Sequence, residues 1–192
     1  VVFYTETARN DMVSAGLIKA EKAFFANNTV DTEEIRFQFD FEVPETNPTI
    51  LFIGRLLPSK KLSVCIDYYK QLCLDIPELN LVVIGDGPDA KLISDLSKSD
   101  IKVTWTGALV EESEIARYMK KCWLVLVPGA SGLSVNHALA YGRPYATCKN
   151  ALHGPELSYI EDERNGFILS GNLSSDVSRL KQFFTSSETT FF

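Results

Sequence analysis

Two cationic side chains, Arg55 and Lys60, follow an uninterrupted apolar run, Ile50 to Ile53, and lie five residues apart. A guanidinium fork and an ammonium held on a short loop can bind a diphosphate and neutralise the charge that builds on it as it leaves. Most arginines and lysines are solvated surface residues, and that interpretation stays open for this pair. Beyond the stabilisation of a leaving diphosphate by Arg55 and Lys60, the sequence assigns no catalytic role.

A second candidate site lies in the stretch from 123 to 144, which reads WLVLVPGASGLSVNHALAYGRP. A buried strand ends abruptly before Gly129, and a helical pattern opens at Gly132 and Leu133. The loop between them, which includes Ser131, carries almost no side chain, so a ligand can reach its backbone. The unpaired amides of a helix's first turn are partly positive and favour a phosphate. A tight turn whose small residues serve packing alone explains the same pattern equally well.

Three other features are less specific. Residues 84–90 contain Gly-x-Gly-x-x-Ala after a strand, which favours a dinucleotide, but a tight turn with Pro88 at the first helical position explains them as well. His137 lies one turn into the helix after the small-residue loop, where we expect it to touch the ligand. His153 precedes a proline-initiated helix and is more typical of a structural histidine. No spacing of a Ser-His-Asp triad, a Cys-His pair or a zinc site occurs, so no metal is expected.

The composition limits the classes of partner. The chain has 192 residues, of which 45% are hydrophobic and 23% charged, as expected for one α/β domain or one domain with part of another. Its formal net charge of -6 argues against broad binding of nucleic acid or anionic membranes. No stretch approaches the roughly 20 apolar residues of a membrane span. The four cysteines show no metal spacing, which indicates reduced thiols and a cytoplasmic protein.

Strand and helix patterns alternate from residue 49 onward. Strands joined through helices require a parallel sheet, and right-handed crossovers make it a doubly wound, Rossmann-like α/β sheet of three layers. With the strand order 3-2-1-4-5-6, the first and fourth strands are neighbours, and the loops after them form the ligand crevice. Those loops carry Arg55 and Gly129, so the fold favours a phosphate-bearing ligand there. The predicted strands cover residues 50–53, 81–84, 101–105, 123–127, 145–148 and 167–169.

The part of the chain before residue 49 is less regular. Residues 1–5 predict a strand, 6–15 predict a helix, and the mixed polar stretch 27–47 is typical of a linker. We therefore expect a division into residues 1–47 and a Rossmann-like domain of residues 48–192.

Several motifs follow one another in the regular part of the chain with a specific order and spacing. They are Phe52-Ile53-Gly54-Arg55-Leu56 with Lys60, Val83-Ile84-Gly85-Asp86-Gly87-Pro88, the strand 103–107, Gly132-Leu133 with Ala138-Leu139-Ala140-Tyr141-Gly142-Arg143-Pro144, and Asn165-Gly166-Phe167. Over about residues 49 to 170, the chain resembles the C-terminal, nucleotide-sugar-binding domain of GT-B glycosyltransferases of the retaining family 4 (group 1) type.

This resemblance implies a hexosyltransferase. The complete protein would pass a sugar from a UDP- or GDP-sugar to a glycan or lipid-linked acceptor, without metal or cofactor, in the synthesis of bacterial surface polysaccharide. Residues 1–47 would be the end of an acceptor-binding N-terminal domain and the linker that follows it. The chain alone would then be inactive, and peripheral membrane contact would belong to the complete protein.

The resemblance also assigns roles to single residues. Arg55 and Lys60 match a basic pair on the donor diphosphate, the backbone of Leu109 matches a position that meets the nucleobase, and Gly132 and Leu133 match the helix start beside the phosphates. The expected binding residues are Arg55, Lys60, Leu109, Gly129, Ser131, Gly132, Leu133 and His137.

The chain also departs from the family pattern. Two glutamates eight positions apart, which commonly meet the donor sugar and the ribose, are replaced by Gly129 and His137. These replacements leave two alternatives open: a nucleotide-sugar epimerase of similar architecture, or a nucleotide-binding domain without catalysis.

Overall fold

The structure is a computed structural model that describes residues 1–38 and 47–186, except for the side chains of residues 37 and 38. The chain forms two compact units, Val1–Val30 and Asp31–Phe192. In the first unit, β1 (Val2–Phe3) pairs in parallel with β2 (Phe24–Phe25). Helix α1 (Glu6–Ser14) lies between them in the chain. The predicted strand and helix are therefore confirmed for this unit.

The second unit is built on a six-stranded parallel sheet with the order β5-β4-β3-β6-β7-β8. This is the predicted doubly wound order, with β3 to β8 as the predicted first to sixth strands. Central β3 lies between β4 and β6, and all of its residues are buried, so the strand reads as one apolar run. The strands are β3 (Thr49–Ile53), β4 (Asn80–Ile84), β5 (Val103–Gly107), β6 (Leu124–Leu126), β7 (Tyr145–Cys148) and β8 (Gly166–Leu169).

Helices join the strands, and their buried stripes follow the helical period. In α3, the residues Leu62, Cys65, Ile66, Tyr69 and Leu72 are buried and form one apolar face. None of the described helices is both long and apolar enough to cross a bilayer. The helices are α2 (Thr32–Gln38), α3 (Leu62–Leu72), α4 (Ala90–Ser99), α5 (Glu112–Met119), α6 (Ser134–Ala140) and α7 (Leu173–Thr185), with short 3-10 turns at Pro58–Lys60 and Pro155–Tyr159.

Two predicted boundaries were wrong. Strand β5 begins at Val103, because Ile101 is 99% exposed in a turn that Asp100 closes by accepting from the backbone N–H of Lys102. Helix α6 begins at Ser134, because Gly132 has φ of 89°, which no right-handed helix accommodates.

The predicted linker 27–47 contains α2. Asp31 accepts a hydrogen bond from the backbone N–H of Glu33 at 2.9 Å, as a capping residue does, and Ile35 is 2% exposed. The rest of the predicted linker from residue 39 to residue 46 lies outside the described residues. The division at residue 47 stays a prediction.

Asp176 connects α7 with the end of β8. Its carboxylate, in a residue that is 1% exposed, accepts from the backbone N–H groups of Ser170 and Gly171 at 2.9 and 2.8 Å. It also accepts from the hydroxyl of Tyr68 on α3 at 2.7 Å. A buried carboxylate with this many donors is satisfied, and it joins two helices to one strand end.

We expect Asp176→Ala to lower the free energy of unfolding by about 3 kcal/mol, because the buried hydroxyl of Tyr68 and two partly buried backbone N–H groups lose their acceptor at once. Asp95→Ala is the matched control, since Asp95 is exposed and, among the described residues, its carboxylate forms an ion pair with Lys91 alone, one turn earlier in the same helix. Its loss should stay within about 0.5 kcal/mol. Urea unfolding measures both. Equal stability of the two variants would contradict the role of Asp176.

Candidate functional site

The predicted crevice is formed by the loops that follow β3 and β6, and their backbones touch. The N–H of Gly129 donates to the carbonyl of Lys60 at 3.1 Å, and the N–H of Ala130 donates to the carbonyl of Ser59 at 2.8 Å. The loop with the two cations and the small-residue loop are therefore joined, as the strand order predicts.

Gly129 is required at this junction because there is no room for a side chain. A Cβ atom at this position would lie 2.1 Å from the carbonyl oxygen of Ser59 and 2.4 Å from the carbonyl carbon of Lys60. Its own carbonyl accepts from the buried hydroxyl of Thr147 at 3.1 Å. The glycine therefore fixes the distance between the two loops, and any larger residue forces them apart.

Lys60 extends across the opening of the small-residue loop. Its ammonium donates to the carbonyl of Ser131, and a Cβ atom at Gly132 would lie 3.8 Å from the same nitrogen. Partial burial lowers the pKa of Lys60, and the negative charge of Glu156 opposes that shift. An ammonium in such a position is desolvated before a ligand arrives, which strengthens its attraction for an anion.

Backbone donors lie beside this ammonium. Among the described residues, the N–H groups of Ser131, Gly132 and Leu133 have no hydrogen-bond acceptor. Leu133 is 45% exposed and Gly132 is partly buried. Three N–H groups of the small-residue loop and one ammonium from the β3–α3 loop are therefore brought together, which suits an anionic ligand with several oxygens.

The side chain of Ser131 holds the loop in place. Its hydroxyl lies 3.2 Å from Nδ1 of His153, and Nε2 of that ring lies 2.8 Å from the carbonyl of Cys148. Because a carbonyl only accepts, Nε2 must donate, and in the neutral ring Nδ1 accepts from Ser131. Ser131 is 1% exposed, so its hydroxyl serves this internal hydrogen bond. His153 is a structural residue, as the sequence predicts.

Arg55 is a further cation of the loop after β3. It is exposed, and no described residue forms a hydrogen bond or ion pair with its guanidinium. Gly54 before it has φ of 136°, which turns the chain at the end of β3. The structure does not show a contact between Arg55 and Lys60.

The glycines of residues 84–90 serve packing. A Cβ atom at Gly85 would lie 1.9 Å from the carbonyl oxygen of Gly54, and one at Gly87 would lie 2.6 Å from that of Leu56. The space that a pyrophosphate would need at this turn is occupied by the β3–α3 loop. The tight-turn interpretation is therefore favoured over a dinucleotide site.

His137 faces a carboxylate that the sequence did not single out. Its Nε2 lies 2.8 Å from Oε1 of Glu112, and the hydroxyl of Tyr141 donates to the same oxygen. The side chains of His137 and Glu112 are 16% and 18% exposed. Burial, with the Glu112 carboxylate adding to it, raises the pKa of Tyr141. An acid in the first turn of α5 is favoured by the helix dipole in any case, so the sequence carried no signal for this cluster.

Leu109 lies partly buried in the loop between β5 and α5. No described hydrogen bond joins it to Lys60 or to the loop after β6. Among the residues that the structure describes, no three His, Cys, Asp or Glu side chains lie close enough together to hold a metal ion.

Comparison with known families gives one match. The model of the glycosyl transferases group 1 family matches residues 31–188. Among curated protein sequences, none matches the chain significantly.

Several solved structures share the fold. TarM of S. aureus is 19% identical with a TM-score of 0.74, and the match covers 96% of this chain and 36% of TarM. WaaB, a lipopolysaccharide outer core galactosyltransferase, is 20% identical with a TM-score of 0.73 over 100% of this chain and 54% of WaaB. HepE of Anabaena, in complex with UDP and glucose, is 19% identical with a TM-score of 0.69 over 99% of this chain and 54% of HepE. The chain thus spans between 36% and 54% of these proteins.

We expect Gly129→Ala to lower the free energy of unfolding by about 3 kcal/mol, the upper end of the range for overpacking, because the new Cβ atom overlaps three backbone atoms. The control is Gly107→Ala, where φ is 74° and nothing lies within 4 Å of the added atom. That change should cost only the left-handed backbone strain, about 1 kcal/mol. Denaturant titration measures the free energy of unfolding of both variants. Equal losses in the two would show that the loops tolerate a side chain at residue 129.

Proposed function

The chain belongs to the glycosyl transferases of group 1, and on that premise we propose that it binds the diphosphate of a nucleotide sugar in the crevice between the β3–α3 and β6–α6 loops. In the complete protein, the bound sugar is transferred to a glycan or lipid-linked acceptor. The binding residues of this proposal are those that the sequence predicts, with Arg55 and Lys60 stabilising the diphosphate as it leaves.

The observation that carries the proposal is the position of the Lys60 ammonium beside a loop in which three N–H groups have no acceptor among the described residues. The ammonium supplies charge, and the amides supply directed donors at fixed positions. The unpartnered Arg55 guanidinium adds a planar fork suited to phosphate oxygens. Two side-chain cations can take the part that a divalent metal plays in other diphosphate sites.

The donor is a nucleoside diphosphate sugar of the UDP or GDP type. HepE is described in complex with UDP and glucose, which makes uridine diphosphate the first probe for this chain. Leu109 is proposed to meet the base through its backbone, since it is in the loop after β5 at the carboxyl edge of the sheet.

The proposed product is a bacterial surface polysaccharide. Similarity of fold to WaaB, a lipopolysaccharide outer core galactosyltransferase, supports this class of acceptor. We propose a cytoplasmic location, which the four free thiols support, with the acceptor held by an N-terminal domain of the complete protein and peripheral membrane contact made there.

A nucleotide-binding domain without transfer is the second candidate. It is favoured by Gly129, where the crowded backbone excludes any acidic side chain that could contact a donor sugar. Incubation of the complete protein with a panel of nucleotide sugars distinguishes the two. Transfer to an acceptor or release of the sugar supports the transferase, and binding without turnover supports the second candidate.

We expect titration calorimetry with uridine, guanosine, adenosine, cytidine and thymidine diphosphates to show binding of at least one by the purified chain. The matching nucleosides should bind more weakly, because the charged loop contacts only the diphosphate. Absence of heat with all five diphosphates, in a chain shown to be folded by circular dichroism, would contradict the proposal.

We expect Arg55→Ala to weaken binding of that diphosphate by about 1.5 to 3 kcal/mol, the range for a charge-assisted hydrogen bond. Affinity for the nucleoside should hardly change. Arg117→Ala is the matched control, because Arg117 is an exposed arginine of α5 outside the crevice loops. If nucleoside and diphosphate weaken equally in Arg55→Ala, the guanidinium does not contact the phosphates.

A further inference from the structure

We propose that Glu112 binds the ribose of the nucleotide, its free carboxylate oxygen accepting hydrogen bonds from the two ribose hydroxyls. This inference rests on the proposed function and names a binding residue that the sequence did not predict. It follows from where Glu112 lies, how its two oxygens are used, and which part of the ligand tolerates a negative charge.

Glu112 lies at the carboxyl edge of the sheet, where the ligand is proposed to bind. It opens α5, five residues after β5 ends at Gly107. Its partner His137 lies on α6, where the His137 N–H donates to the carbonyl of Leu133 at 2.9 Å. Leu133 belongs to the loop with the free amides. Glu112 thus follows the loop of Leu109 in the chain, and its partner His137 lies one helical turn after Leu133 of the proposed phosphate loop.

The two oxygens of Glu112 differ in their surroundings. Oε1 accepts two hydrogen bonds, one from Nε2 of His137 and one from the hydroxyl of Tyr141. Oε2 accepts from no described residue, and it is not among the buried side-chain atoms that lack a partner. One oxygen is thus fixed by two donors, while the other keeps its lone pairs at the surface of the cluster.

The fixed Glu112 carboxylate is suited to bind an uncharged group with two hydroxyls. His137 and Tyr141 fix the side chain before the ligand binds, so little conformational entropy is lost on binding. A carboxylate repels phosphate oxygens, so Glu112 must face a part of the nucleotide that is uncharged and donates hydrogen bonds. Adjacent ribose hydroxyls meet both conditions whatever the base, whereas the donors of the base differ from one nucleotide to another and the phosphates offer none.

A purely structural pair between α5 and α6 is the competing explanation. It accounts for the contacts of Oε1, but it predicts no particular use for Oε2. The two explanations differ in one measurable quantity, the preference of the protein for a ribose over a sugar without its hydroxyls.

The experiment measures this preference by calorimetry with uridine diphosphate, guanosine diphosphate and their 2′,3′-dideoxy analogues. The chains compared are the wild type, Glu112→Ala and Glu112→Gln. Glu114→Gln is the matched control, because Glu114 lies in the same helix turn, is exposed and contacts no described side chain. Thermal unfolding of each variant verifies that it is folded.

We expect the wild type and Glu114→Gln to bind the ribose form about 10 to 100 times more tightly than the dideoxy form, as charge-assisted hydrogen bonds allow. In Glu112→Ala the ratio should fall to about 3 or less, with the dideoxy affinity unchanged, because only the contact with the hydroxyls is lost. Glu112→Gln should give an intermediate ratio.

Two results would overturn the inference while leaving the proposed function in place. In the first, wild type binds the diphosphates but does not distinguish the dideoxy forms. In the second, Glu112→Ala keeps the ratio, whether its affinities for both forms are unchanged or equally reduced. Failure of the wild type to bind either diphosphate would instead overturn the proposed function with these nucleotides, and the inference with it.

Discussion

The direct contact of two backbones at Gly129 is the constraint on which the candidate site depends. The loop after β6 donates two backbone hydrogen bonds to the loop after β3 there, and the space between the loops does not admit one Cβ atom. That approach brings the Lys60 ammonium to the carbonyl of Ser131 and leaves the following amides free. The site is therefore a property of neighbouring strands in a doubly wound sheet, made exact by one glycine.

Cationic and acidic side chains around this junction belong to different parts of the fold. Lys60 and Arg55 lie on the loop after β3, although the whole chain carries a net charge of -6. Glu156, which is 5% exposed, acts on Lys60 from within the protein, so it moderates the field without occupying the loop. Glu112 begins α5 and is held by His137 of α6 and by Tyr141 at the end of that helix. A nucleotide laid along this edge would meet cations at its phosphates and an acceptor at its sugar.

Much of this architecture could be predicted from sequence, because continuous apolar runs and helical stripes are local signals. They predicted the six strands, and the order of a doubly wound sheet, taken as the condition, placed the loops that carry Arg55 and Gly129 side by side. The start of α6 was misplaced because the left-handed conformation of Gly132 has no signature in an apolar helical pattern. The Glu112 cluster was missed because it joins side chains 25 and 29 residues apart, a contact that only the packing of α5 against α6 creates.

The most direct test of the account is the crystal structure of the chain with uridine diphosphate, or with the nucleoside diphosphate that binds most tightly. We expect the diphosphate to lie against the Lys60 ammonium and the N–H groups of residues 131–133, with the Arg55 guanidinium on its oxygens. A diphosphate seated instead at the turn of Gly85 and Gly87, or away from the junction at Gly129, would contradict it.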